Sequence, residues 1–268
     1  MAIKTLPSLL DKMWQDYIQI NPLAKKISDL LSLHGENLQN DHIALRTFNH
    51  PRVSIDVVAK PFLEAGYLFK GDYQFPEKKL YAKHFEHTDH TQPKIFISEL
   101  KLEEFSSSLR KSVNQMVDQI PTGLENQFDF SSIGRPWKVT TQMYHDLVKE
   151  SDYAAWVSAF GYRPNHFTVF INSLKNFSDI QILNSYLKEN GFKLNASGGE
   201  VKGSESVFLE QSSTLANTIE VSFEDGKLDI PACYYEFAKR YPLPNGQLYQ
   251  GFVATSADKI FESTSRGQ

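Results

Sequence analysis

Asn40-Asp41-His42-Ile43-Ala44-Leu45-Arg46-Thr47-Phe48 and Asn165-His166-Phe167-Thr168-Val169-Phe170-Ile171-Asn172 read as one strand used twice. Each opens on polar residues and a histidine, then runs into the β-branched and apolar residues that strands favour. An amphipathic helix follows each, expected over 53–65 and 178–189. The same punctuation closes both helices: Glu64-Ala65-Gly66-Tyr67 and Glu189-Asn190-Gly191-Phe192. Glycine is a common stop there because it takes a left-handed conformation without strain. Strands are expected next at 67–73, 80–87 and 94–100, and in the second half at 192–194, 207–211, 218–223 and 233–239. The order is β-α-β-β-β in both halves, with one extra strand in the second. Two long copies point to duplication rather than to a solenoid of many short units.

Around the two modules lie helical segments. Leu9, Leu10, Met13, Trp14 and Tyr17, then Ile27, Leu30, Leu31 and Leu33, recur at helical spacing. So do Phe105, Leu109, Val113, Met116 and Ile120, and after them Met143, Leu147, Tyr153 and Trp156. The expected layout is a single domain over 1–268. It has N-terminal helices at 1–39, a first module at 40–101, a helical insert at 102–163 covering one sheet face or lidding the site, and a second module with a C-terminal tail at 164–268.

Composition narrows the function. Of 268 residues, 41% are hydrophobic and 22% charged, an ordinary globular mix that argues against disorder. The net charge is -4 and no basic stripe stands out, so a nucleic-acid partner is not expected. The single cysteine, Cys233, excludes a disulfide framework and a cysteine-based zinc knuckle. No stretch approaches the ~20 apolar residues of a membrane span. Met1-Ala2-Ile3-Lys4-Thr5-Leu6 lacks the apolar run of a signal peptide, so a cytoplasmic, soluble protein is expected, of undetermined oligomeric state.

The chemistry is read from strand parity, since residues two apart share a face. His42, Ala44, Arg46 and Phe48 point one way, as do His166, Thr168, Phe170 and Asn172, and as do Tyr234, Glu236, Ala238 and Arg240. If those faces line one concave sheet, His42, His166 and Glu236 converge. Two imidazoles and a carboxylate with other positions open are the facial triad of non-haem Fe(II) oxygenases. A lone strand histidine is more often a packed or hydrogen-bonded residue, and Glu236 could simply pair with Arg240 or Lys239. The equivalent placement of two histidines in two repeats favours the metal. Glu220 competes with Glu236 as third ligand, although the charged turn after it suggests an edge. Arg46 lies about 13 Å along the strand from His42 at ~3.3 Å per residue, placed to grip a carboxylate held away from the metal. His84 shares the parity of Ala82 and Glu86 and would serve packing as readily as the pocket. Lys202-Gly203-Ser204 lacks the order of a P-loop and reads as a turn bringing Lys202 or backbone amides near a ligand. No G-x-S-x-G elbow exists for serine hydrolysis.

These motifs together resemble the 2-oxoadipate dioxygenase/decarboxylase family: Asp41 to Phe48, Asn165 to Thr168, Lys202-Gly203-Ser204, Leu209-Glu210-Gln211-Ser212-Ser213 and Tyr235 to Arg240. That family is related to the vicinal oxygen chelate superfamily, whose paired β-α-β-β-β modules form a metal-holding β cup. The resemblance implies an α+β fold of that kind, with Fe(II) as cofactor on His42, His166 and Glu236. It also implies Arg46 on the substrate carboxylate and Lys202, Ser204 and Gln211 in the substrate pocket. Gln211 is similar to a pocket-lining glutamine of 4-hydroxyphenylpyruvate dioxygenase, and Glu236 to that enzyme's last-strand ligand. The implied reaction, in lysine catabolism, takes a small 2-oxo acid and O2, converting 2-oxoadipate to 2-hydroxyglutarate and CO2. This chain is much shorter than the bacterial members acting on 2-oxoadipate, so the ligands carry over more directly than the substrate. Two alternatives stand: a hydrolase or lyase dependent on zinc or another metal on the same fold, and a non-catalytic binding protein that keeps the cup.

Overall fold

In the computed structural model, which describes residues 4–253, two helices precede the sheet: α1 (Leu6–Ile20) and α2 (Pro22–Leu33). Pro22 opens α2, where a missing N–H costs nothing and the fixed φ suits the helix. The first module runs β1 (Asn40–Phe48), α3 (Ile55–Glu64), β2 (Tyr67–Phe75), β3 (Leu80–His87) and β4 (Lys94–Leu100). The insert carries α4 (Ser107–Asp118), α5 (Thr141–Glu150) and α6 (Asp152–Phe160). The second module runs β5 (Pro164–Phe170), α7 (Ile180–Glu189), β6 (Lys202–Ser204), β7 (Leu209–Ser213), β8 (Thr218–Ser222), β9 (Lys227–Pro231) and β10 (Glu236–Arg240). Residues 1–3, and the expected tail from 254 onward, lie outside the described residues.

Among the described residues eight strands form one sheet in the order β2-β3-β4-β1-β5-β10-β7-β6, curled into a half-barrel. The order repeats about its middle. β1 is parallel to β4 as β5 is to β10, the outer pairs are antiparallel, and β1 meets β5 antiparallel at the seam. The fold is α+β, with α1 against β5, α3 against β4 and α7 against β7 and β10. Parity divides β5 between two environments. Phe167 packs beneath α1, 5.1 Å from the Trp14 ring and 5.0 Å from that of Tyr17, while His166 and Thr168 face the concave side. Burying one phenylalanine this way is worth about 1.5–3 kcal/mol, so the hydrophobic face fixes which way His166 points.

The second half departs from the expected strands in three places. Residues 192–194 make only an isolated bridge, Leu194 to Thr214. Lys202–Ser204, expected as a turn, pairs with β7 as β6. The strand expected at 218–223 leaves the cup: among the described residues β8 pairs only with β9, in a separate two-stranded sheet. Alternation signals a strand but says nothing of its partner, and a hairpin with half-buried sides has the same pattern as a sheet strand. Gly161, between α6 and β5, has φ 69° and ψ -146°, and a Cβ there would lie 2.2 Å from the Gly134 carbonyl oxygen. Only glycine fits this turn, which sets the entry of β5.

Candidate metal centre

Register gathers the three candidate ligands. His42 on β1 lies opposite Thr168 of β5, and the same Thr168 lies opposite Glu236 of β10. Opposed side chains share a face, so His42, Thr168 and Glu236 make a row across three strands, with His166 two residues along from Thr168. One donor atom from each of His42, His166 and Glu236 lies within 4.8 Å of the others, and all three residues are buried. His42 Nε2 is 3.5 Å from Glu236 Oε1, His166 Nε2 is 3.3 Å from Glu236 Oε2, and the two Nε2 atoms are 3.3 Å apart.

The outer atoms of each imidazole fix what the inner atoms offer. His42 Nδ1 donates to Asp41 Oδ1 at 2.8 Å, and His166 Nδ1 to Asn165 Oδ1 at 3.1 Å. With the protons on Nδ1, both Nε2 lone pairs face one point, where Glu236 adds a carboxylate. Two imidazole acceptors and a carboxyl group at hydrogen-bonding separation in a buried site leave a place where a cation fits, and a nitrogen–nitrogen–oxygen set of this kind suits a divalent transition metal. The protonation states agree. Burial lowers both imidazoles; Asp41 offsets part of the fall for His42, while His166, with His42 and Arg46 beside it and no carboxylate raising it, is lowered further. Burial pushes Glu236 up to about 8, against the Gln211 hydrogen bond, which opposes the rise. Neutral histidines and a carboxyl that ionises reluctantly are the state a metal would find and convert by displacing a proton.

Around the trio, Gln211 Nε2 donates to Glu236 Oε1 at 2.6 Å, and Thr168 Oγ1 is 3.1 Å from His42 Nε2. Asp41 takes a double contact from Arg240: Nε to Oδ2 at 2.6 Å and Nη2 to Oδ1 at 2.8 Å. Burial alone would raise the Asp41 carboxyl, but Arg240 and Lys94 beside it hold it well below the usual carboxylate range. Arg240 therefore pairs with Asp41 and not with Glu236, and Lys239 reaches Asp179 at 3.7 Å.

Arg46 is buried on the same face, its guanidinium carbon 5.1 Å from the Tyr153 ring and 5.0 Å from the Trp156 ring, both on α6. The insert thus packs against Arg46 and is anchored to the sheet where Tyr153 Oη donates to the Ser98 carbonyl at 2.6 Å. Arg46 also lines a cavity of about 260 Å³ with Lys78, Lys79, Phe105 and Tyr153. Lys202, opposite Gln211 in the ladder, is buried and donates to the Asn195 carbonyl at 2.6 Å. Ser204 stands farther out, sharing a hydrogen bond with Ser206 at an exposed position. Glu220 is excluded as a ligand by position: it lies on the separate β8–β9 hairpin, paired with Lys227 at 2.6 Å. His84 is buried in the wall, 3.0 Å from Tyr73 Oη and 3.1 Å from Glu86.

Sequence reasoning missed Asp41, Asn165, Arg240 and Phe252 as parts of this centre. The signal for the first two was present, since an Asp or Asn precedes each histidine. Arg240 shares the parity of Glu236. Phe252 gave none: it comes from a segment after the last strand, and its ring stands edge-on to His42 at 4.8 Å.

A family model for 2-oxoadipate dioxygenase/decarboxylase matches residues 3–247. The chloroplastic 2-oxoadipate dioxygenase/decarboxylase of Arabidopsis thaliana is 35% identical over 97% of this chain and 78% of its own length. The crystal structure of a rice hydroxyglutarate synthase in complex with 2-oxoadipate superposes with a TM-score of 0.92 and 33% identity, covering 100% of this chain and 97% of that one. A Shewanella frigidimarina protein, provisionally described as a hydrolase, is 53% identical with a TM-score of 0.91, over 95% of this chain and all of that one. A glyoxalase-superfamily protein from Ralstonia eutropha shares the fold at 20% identity and a TM-score of 0.78.

Proposed function

Because the chain belongs to the 2-oxoadipate dioxygenase/decarboxylase family, we propose that it is an Fe(II)-dependent enzyme converting 2-oxoadipate and O2 to 2-hydroxyglutarate and CO2. The observation that carries this reading is the buried convergence of His42 Nε2, His166 Nε2 and the Glu236 carboxylate, with both Nδ1 protons engaged elsewhere. Bound ferrous iron would supply the redox chemistry, activation of O2 beside a chelated 2-oxo acid. His42, His166 and Glu236 would hold it, while Asp41, Asn165 and Gln211 fix their orientation. Arg46 would take the distal carboxylate of the substrate through its planar pair of N–H donors, held in place by Tyr153 and Trp156. Gln211 and Lys202 would border the substrate from the β6–β7 side, and the rings of Trp156, Phe96 and Phe252 would exclude water. The rice relative's complex with 2-oxoadipate, matched along nearly its whole length, supports the same substrate for a chain of this span.

A second reading is favoured by the provisional hydrolase description of the Shewanella relative: two histidines and a glutamate also serve zinc hydrolases. Anaerobic loading with Fe(II), followed by O2 consumption and CO2 release on 2-oxoadipate, separates the two. Coupled uptake and release, lost in His42→Ala, is the expected result. Full iron loading without O2 uptake on any 2-oxo acid would remove the oxygenase reading and leave hydrolysis or a binding role.

A further inference from the structure

We propose that Arg240 is a positioning residue that couples the seat of the C-terminal segment, Tyr249–Phe252, to the orientation of the candidate ligand His42. The inference rests on the metal-centre reading given above. Arg240 lies at the end of β10, with its side chain 1% exposed. Two edges of its guanidinium are committed in different directions. Nε and Nη2 hold the Asp41 carboxylate, which in turn accepts the Nδ1 proton of His42. Nη1 donates to two carbonyls of the segment, Tyr249 at 2.9 Å and Gly251 at 2.8 Å.

The segment then returns to the same ligand by a second route. Phe252 lies with its ring 4.8 Å from His42, 4.9 Å from Phe96 and 5.3 Å from His84, and 5.3 Å from the guanidinium carbon of Arg240. Its N–H donates to Tyr73 Oη at 3.1 Å. A closed circuit results: His42, Asp41, Arg240, the Tyr249 and Gly251 carbonyls, the Phe252 ring, and His42 again. An arginine serving only to neutralise Asp41 would need one edge. The second edge, spent on the segment, makes the seat of Phe252 and the aim of the His42 imidazole interdependent. Lysine cannot reproduce this, because a single ammonium lacks the planar fork that spans a carboxylate and two carbonyls.

Coupling of this kind is reciprocal. A metal that holds His42 in place tightens the segment, and a seated segment tightens the metal by the same factor. Direct hydrogen-bond partners of metal ligands change metal affinity by roughly 10–100-fold; Arg240 acts one contact further out, through Asp41, which sets its effect at the lower end of that range.

The test uses the full chain and Co²⁺ alone, read by calorimetry and visible absorption, together with amide hydrogen exchange at Gly251 and Phe252. Wild type, Arg240→Lys and Phe252→Ala are compared. The expected result is about a 10-fold loss of Co²⁺ affinity in both variants, with an altered absorption band in Arg240→Lys. Co²⁺ should slow exchange at the two amides in wild type and not in Arg240→Lys. Phe252→Ala leaves the Asp41–Arg240 pair intact, so it decides the matter if Arg240→Lys does not fold. Normal Co²⁺ binding by wild type with unchanged affinity in folded variants, or exchange indifferent to Co²⁺, would overturn the coupling alone. Failure of wild type to bind Co²⁺ would overturn the centre, and the coupling with it.

Discussion

Replacing Arg46 with methionine tests how the substrate is chosen. The guanidinium lies between Tyr153 and Trp156, at 5.1 and 5.0 Å, in a site 4% exposed to solvent. Methionine keeps much of the volume and the apolar contact with both rings, and removes the charge and the N–H fork. Each hydrogen bond to a charged partner is worth about 1.5–3 kcal/mol. A two-pronged grip on a distal carboxylate is then worth about 3–6 kcal/mol, and at 1.4 kcal/mol per decade its loss lowers kcat/KM by roughly 10²–10⁴-fold. A 2-oxo monoacid of the same chain length has no distal carboxylate and makes no such contact. The assay is initial-rate O2 consumption by the iron-loaded enzyme on both acids. For Arg46→Met we expect the diacid rate to collapse while the monoacid rate changes by only a few fold, with KM carrying much of the difference. Equal losses on both acids would refute the reasoning, because they would place Arg46 in the shape of the site and not in its choice of substrate.

Gln211→Leu removes the 2.6 Å donor to Glu236 Oε1 and should weaken metal affinity about 10–100-fold with little change in fold, as read by Co²⁺ titration and circular dichroism. Gly161→Ala forces a β-carbon within 2.2 Å of the Gly134 carbonyl oxygen. It should cost about 3 kcal/mol and lower Tm by roughly 6–12 °C, and an unchanged melting curve would show that the turn tolerates a side chain. Glu36 is buried and accepts the N–H groups of Lys175 and Asn176 at 2.7 and 2.8 Å. Burial alone would raise its carboxyl, but these donors outweigh burial and hold it below its ordinary value. A depressed value in the folded state means stability present above the ordinary glutamate range and lost as pH falls through the lower folded value. The Tm difference between wild type and Glu36→Gln should therefore shrink from pH 6 toward pH 3.5, and a difference constant across that range would count against the assignment.

Much of this architecture was legible because a strand's period of two is rigid. Once Phe167 and Val169 are given to the core, His166 and Thr168 have only the concave face left. What the period does not encode is pairing. Residues 218–222 alternate clearly and 209–213 do not, yet β8 finds its partner in β9 outside the cup, and β7 finds β10 within it. The choice between Glu236 and Glu220 hung on that pairing. Asp41 and Arg240 escaped notice for a related reason. They stand 199 residues apart, and each, read alone, is an ordinary charged residue. Only the ladder from β1 through β5 to β10 makes them neighbours. The role of Phe252 depends on the path of a segment with no regular structure, where no periodicity exists to read.

The seam between the two copies has a consequence for assembly of the molecule. His42 belongs to the first copy, and His166 and Glu236 to the second, so neither copy owns a complete set of ligands. An ion gripped there fastens two points of the chain 124 residues apart. Closing so long a loop costs entropy that a crosslink removes from the unfolded chain. The ion would thus act as a rivet through the β1–β5 seam between the two halves. Stripping it with a chelator should loosen the join between β1 and β5 before it disturbs either half, and a gene for one half alone would encode a socket missing its opposite wall.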